Sequence, residues 1–110
     1  MAEHLLDSDY KDPAAVMIGS VLEEHLKQLC NKNGIDTTII KDGKNLNMKA
    51  DRLNNDLAKK GIYNKLDQKN VTAMLDLRNK AAHGNYSKYD TNQVRLMYQS
   101  VFDFITRNPL

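Results

Sequence analysis

One cysteine, Cys30, is the only thiol in the sequence, so no disulfide can close within the chain. Together with three scattered histidines it falls short of a Cys/His zinc set, and neither a metal nor a cofactor is expected. A thiol without a partner points to a reducing, cytoplasmic setting. Proline numbers two and glycine five, too few to turn the corners of a β-sandwich or barrel, which leaves helices as the default. No apolar run approaches the ~20 residues that span a bilayer, and no basic-then-apolar leader opens the chain, so no membrane association is expected. Neither sign of charge dominates: 16 Lys and Arg face 14 Asp and Glu, and any contact with nucleic acid must come from a local patch. The patterns H-E-x-x-H, G-x-x-x-x-G-K and G-x-S-x-G are all missing, which removes zinc-protease, phosphate-loop and nucleophile-elbow chemistry.

What the 110 residues do hold is apolar material, 41% against 27% charged, sufficient for one core. A single domain over residues 1–110 is expected. Asp12 and Pro13 read as the cap and first position of a helix. Met17, Ile18, Val21, Leu22, Leu26 and Leu29 then mark one face, and Asn33-Gly34 ends it. His25 falls on that stripe as a core-edge histidine with a hydrogen bond. Before it, Ala2, Leu5 and Leu6 suggest a short N-terminal helix. Residues 34 to 46 carry an Asp42-Gly43 turn signal compatible with an ordered loop or a small hairpin, and are assigned as loop. A second helix is expected from about Asn47 to Lys60, with Ala50, Leu53 and Leu57 inward, Asp56 paired with Lys60, and Gly61 closing it. The last runs between Asp90-Thr91 and Asn108-Pro109 on Val94, Met97, Tyr98, Val101, Phe102 and Ile105.

The segment from Leu66 to His83 carries two apolar stripes on an ideal helix: Leu66, Ala73, Leu77 and Ala81 on one side, Val71, Met74, Leu75 and Ala82 on another. Such a helix is buried against more than one neighbour. Arg78 falls in the middle of the second stripe, where a cation needs a specific counterpart. Asn79 and His83 lie about 40° apart and share a face. Residues 78–84 also read simply as a helix C-terminus, cations complementing the dipole and Gly84 as the left-handed residue.

Arg78-Asn79-Lys80-Ala81-Ala82-His83, an arginine, a polar residue, three variable positions and a histidine, resembles the hallmark of the HEPN domains (higher eukaryotes and prokaryotes nucleotide-binding). The similarity extends to Ala14-Ala15-Val16, to the stretch from Gly19 to Leu26, and to Leu53-Asn54 through Gly61. The resemblance implies an all-α, four-helix up-and-down bundle with an extra short N-terminal helix, and a homodimer with facing Arg/His helices. It further implies a metal-independent endoribonuclease of a toxin–antitoxin or phage-defence system, with RNA as substrate and a cognate antitoxin or a longer-chain effector domain as partner. Other members are silent dimerisation or binding modules, which is the alternative function. Met1 to Leu6 looks like the middle of a helix in longer relatives, so the chain is expected to be either a fragment, the C-terminal part of a longer protein, or a short form.

The residue types suit that chemistry. RNA brings its own nucleophile, the 2′-hydroxyl, so cleavage needs an acid or base that works near neutral pH and a fixed cation for the charge developing on phosphorus. His83 fits the first role and Arg78 the second. Asn79 is placed to orient His83 or bind a phosphate oxygen. Lys80 is a phosphate contact, and Tyr86, in the polar stretch to Tyr89, offers a ring for base stacking. Five residues put Arg78 and His83 about 140° apart on an ideal helix, a separation that unwinding at Gly84 or a facing partner copy would overcome. HEPN toxins paired with a nucleotidyltransferase carry a tyrosine two positions after the histidine; Asn85 stands there, so nucleotidylation of Tyr86 or Tyr89 is not expected.

Overall fold

The computed structural model describes residues 11–110, the side chain of Tyr86 excepted. It is mostly helical: α1 (Lys11–Lys32), a hairpin of β1 (Thr38–Lys41) and β2 (Lys44–Asn47), α2 (Ala50–Lys59), α3 (Lys65–Ala82), a short 3-10 turn (Tyr86–Lys88) and α4 (Thr91–Arg107). No described helix is long and apolar enough to cross a membrane. The expected short N-terminal helix lies outside the described residues.

α1 is the element on which the others pack: it touches α2, α3 and α4. Its buried residues, Ala14, Ala15, Ile18, Gly19, Leu22, His25, Leu26, Leu29 and Cys30, recur every three or four positions, the spacing of one helical face. Met17 and Val21, expected on that face, are half-buried and exposed. Asp12 is not the cap. It lies within the first turn, and its carboxylate accepts a hydrogen bond from the Tyr89 hydroxyl. Gly34, at φ +71, ends α1 in the left-handed conformation, and the Ile35 N–H returns to the Cys30 carbonyl at 2.8 Å. His25 is buried at the core edge, its Nε2 2.7 Å from the Asn108 carbonyl, as its place on the stripe required.

Residues 38–47 form an antiparallel hairpin rather than a loop, pairing Thr38 with Asn47 and Lys41 with Lys44. Asp42 and Gly43 both take positive φ, 54° and 76°, the turn whose twist matches that of paired strands. Its strands, Thr-Ile-Ile-Lys and Lys-Asn-Leu-Asn, bury almost nothing and are too short for a clear apolar alternation to announce them. α2 accordingly starts at Ala50, three residues later than expected, with Leu53 and Leu57 buried. Lys60 donates to the Asn33 carbonyl rather than pairing with Asp56.

α3 touches α1, α2 and α4, as two apolar stripes demand. Val71, Met74, Leu75 and Ala81 are buried, whereas Leu66 is 67% exposed and Ala73 and Ala82 are exposed too. Asn64 caps its first turn, accepting from the Asp67 N–H at 2.9 Å. Asp67 also receives both terminal nitrogens of Arg107 at 2.8 and 3.1 Å, which ties the end of α4 to the start of α3. α4 itself spans the expected residues, closed at its start by a capping box between Asp90 and Gln93. Its inward aromatic is Phe104, 2% exposed, and not Phe102, 66% exposed, because 94, 97, 101 and 104 continue one stripe that 102 leaves. Phe104 stands edge-on to Tyr63, ring centres 5.1 Å apart.

Cys30 is fully buried in this core. Burial first, and the negative charge of Asp56 second, push its thiol up from 9.0 to about 11. The folded chain thus holds this proton more tightly than the unfolded chain. The associated stability is fully present below about pH 9 and is lost as pH rises through about 11. Urea midpoints should therefore fall between pH 8.5 and 11, and fall less in Cys30→Ala; equal pH responses in the two proteins would contradict the assignment.

Candidate active site

The site is assembled where the C-terminal end of α3 crosses α1. Gly19 sits at that crossing: a Cβ on it would collide with the Cβ and Cγ of Arg78, so the glycine is what lets the arginine stem lie against α1. A glycine inside a 22-residue helix costs about 1 kcal/mol relative to alanine, a cost offset here by the close approach. Gly19→Ala should accordingly lower the melting temperature, since overpacking by roughly 1–3 kcal/mol outweighs the propensity gain. A higher melting temperature would show that Arg78 does not occupy that space.

One turn beyond Gly19 on the same face, Glu23 meets the guanidinium, its Oε1 3.4 Å from Arg78 Nε. This is the counterpart that the position of Arg78 on an apolar stripe required. Nε is buried and makes no hydrogen bond, so Glu23 holds it by charge rather than by a directed bond. On the other edge, Nη1 donates to the side-chain oxygen of Asn79 at 3.3 Å. The Asn79 amide thus engages Arg78, and it is the backbone of Asn79 that engages His83, its carbonyl accepting the His83 N–H at 2.9 Å.

α3 stops at Ala82. His83 already leaves helical geometry at φ −95 and ψ 10, and Gly84 follows at φ +78, with the Asn85 N–H turned back to the Lys80 carbonyl at 2.8 Å. The unwinding follows His83, whose N–H still bonds the carbonyl four residues back. Arg78, Asn79 and His83 line one pocket of about 720 Å³ within a single chain. Its opposite wall comes from the base of the hairpin and the first turn of α2, through Asn47, Met48, Lys49 and Asp51. Glu23 and Asp51 supply negative charge, Arg78 and Lys49 positive. Among the described residues, no group of three or more His, Cys, Asp or Glu side chains is placed to hold a metal ion.

Two of the expected substrate contacts are not brought together with these. Lys80 pairs with Asp76 at 3.0 Å and lines a separate pocket between α3 and α4, with Lys88 and Tyr89. Tyr86 lies in the 3-10 turn, and its side chain is outside the description. Its neighbour Tyr89 is no stacking platform: it is buried, with its hydroxyl on Asp12 and Lys11 Nζ 4.7 Å above its ring. Sequence reasoning missed Gly19, Glu23, Asn47, Lys49 and Asp51 as parts of this site. An interior glycine and a glutamate one turn apart were the only signal for the first two, and the rest depended on the hairpin.

A family model described as "Domain of unknown function (DUF4145)" matches residues 1–107. No curated protein matches the chain. No solved structure matches it. The resemblance of residues 78–83 to the HEPN hallmark is thereby corrected: the model that matches is that of an uncharacterised family, and no HEPN model matches. A six-residue pattern of one arginine, one polar residue and one histidine is short enough to arise at any helix end rich in cations, and the toxin and anti-phage setting rested on that resemblance alone. With 107 residues matched from Met1 onward, the chain belongs to the DUF4145 family.

Proposed function

We propose that the Arg78 pocket is a metal-independent endoribonuclease site, carried by four helices arranged as an up-and-down bundle in a cytoplasmic protein. The observation that carries this is the convergence of Arg78, Asn79 and His83 on one pocket of one chain. The 2′-hydroxyl of a bound ribose attacks the adjacent phosphorus, the bond to the 5′-oxygen breaks, and a 2′,3′-cyclic phosphate and a free 5′-hydroxyl result. His83, exposed at the pocket edge, transfers a proton in this step. The terminal nitrogens of Arg78 face the charge gathering on the non-bridging oxygens, while Glu23 holds the guanidinium by charge and Asn79 accepts a hydrogen bond from Nη1. The test is a labelled RNA beside its 2′-O-methyl counterpart: only the first should be cut, and cleavage of both, or of neither, would overturn the proposal.

A second reading, a catalytically silent binding module, is favoured by one observation: Arg78 is already paired with Glu23 and packed on Gly19, as a structural arginine would be. Both readings include a homodimer through α3, supported by the exposed Leu66 and Ala73 of its outer stripe. Light scattering at micromolar concentration should give twice the chain mass of 12.5 kDa, and a monomer would remove the dimer from the proposal.

A further inference from the structure

The hairpin is the least explained element of the fold. Seven of its eight strand residues are exposed, and Ile40 is 78% exposed, so it adds almost nothing to the core. An isolated two-stranded ribbon is marginal in water, and this one sets Lys41 directly opposite Lys44, a like-charge pair that weakens it further. Between Thr38 and Lys49 there are three lysines and one aspartate, Asp42 in the turn, in a chain whose charges otherwise nearly balance. Among the described residues, Lys41, Lys44 and Lys49 enter no ion pair or side-chain hydrogen bond. The hairpin is also anchored at the site: Met48 N–H bonds the Thr37 carbonyl at 2.8 Å to close its base, and Asn47, Met48 and Lys49 line the Arg78 pocket. Lys44 lies three residues, about 10 Å, outward from Asn47 along β2.

We infer that the β1–β2 hairpin is the arm along which single-stranded RNA approaches the Arg78 pocket. Lys41, Lys44 and Lys49 neutralise successive phosphates, Lys41 and Lys44 standing as a cross-strand pair on the ribbon face they share with Ile39 and Leu46. The inference rests on the proposed nuclease reading of that pocket and adds the substrate's path to it. The probe is a fluorescent 20-nucleotide 2′-O-methyl oligouridylate, which binds without being cut, followed by anisotropy from 50 to 200 mM salt. Lys41→Glu/Lys44→Glu should weaken binding at least about tenfold and flatten the slope of log K against log salt by about 1.4, two single-strand phosphate contacts. Circular dichroism should be unchanged, because both side chains are exposed. Equal affinity and slope in the two proteins would overturn the arm, as would no binding by the unmutated chain. Tighter binding of a fluorescent oligoglutamate than of the RNA would overturn it in favour of an acidic protein partner. RNA bound through the lysines but never cut would leave the arm standing and remove the nuclease reading; RNA cut equally well by the double variant would do the reverse.

Discussion

His83→Ala is expected to slow RNA cleavage by roughly 10²–10⁴-fold, the usual loss when a proton-transfer group is removed, with helix content unchanged. His83 is exposed and holds the end of α3 only through its backbone N–H, which alanine keeps. Arg78→Ala should lose activity to a similar extent, together with some stability, because its stem fills the space over Gly19 and its charge answers Glu23. Arg78→Lys separates the two roles. A lysine stem fills much of the same space, but a point ammonium cannot hold Glu23, Asn79 and a phosphate in one plane, so folding should be recovered and cleavage should not. Thermal melts and single-turnover cleavage on the same preparations check both; full activity in Arg78→Lys would show that the planar fork is not used.

Asn54→Ala should destabilise the fold by roughly 3 kcal/mol, a large part of a small domain's total of about 5–15. Asn54 is completely buried. Its Nδ2 donates to the Gln68 carbonyl at 3.0 Å and to Thr72 Oγ1 at 3.2 Å, and its Oδ1 accepts from the Tyr63 hydroxyl at 2.6 Å. One side chain therefore links α2, α3 and the segment between them, and removing it leaves the buried Tyr63 hydroxyl without its best acceptor. Burial first, then the neighbouring Cys30 and Asp67, push the Tyr63 hydroxyl well above the usual tyrosine range, as expected for a phenol kept neutral in such a place. Tyr63→Phe should cost about 1–2 kcal/mol by leaving Oδ1 unpaired. Urea unfolding measures both, and a loss below about 1 kcal/mol for Asn54→Ala would show that the network carries little of the fold.

The helices were legible where apolar residues follow the helical period and a polar cap or glycine punctuates it, as at Gly34, Gly61, Gly84 and Asp90. The hairpin was not, because Thr-Ile-Ile-Lys and Lys-Asn-Leu-Asn are four residues each, too short to set up a clear alternation, and the Asp42-Gly43 signal stood alone. Asn54 and Tyr63 escaped for a related reason: a buried polar pair is invisible to a search for apolar stripes and becomes sensible only when its partners on α3 are in place. At the site, the position of Arg78 on an apolar stripe correctly demanded a counterpart, but which acid would meet it depended on how closely α1 and α3 approach, and Gly19 sets that. The separation of Arg78 and His83 on an ideal wheel gave no sign that both line one pocket, because its far wall is built by the hairpin base and the first turn of α2.

The nuclease claim is tested most directly by incubating the pure protein with single-stranded RNA in excess EDTA and determining the ends of any products. Expected are fragments with 2′,3′-cyclic phosphate and 5′-hydroxyl termini, formed at the same rate with and without the chelator, because the attacking oxygen belongs to the substrate and the proton and charge are handled by His83 and Arg78. Intact RNA, 3′-hydroxyl termini, or cleavage abolished by EDTA would contradict it.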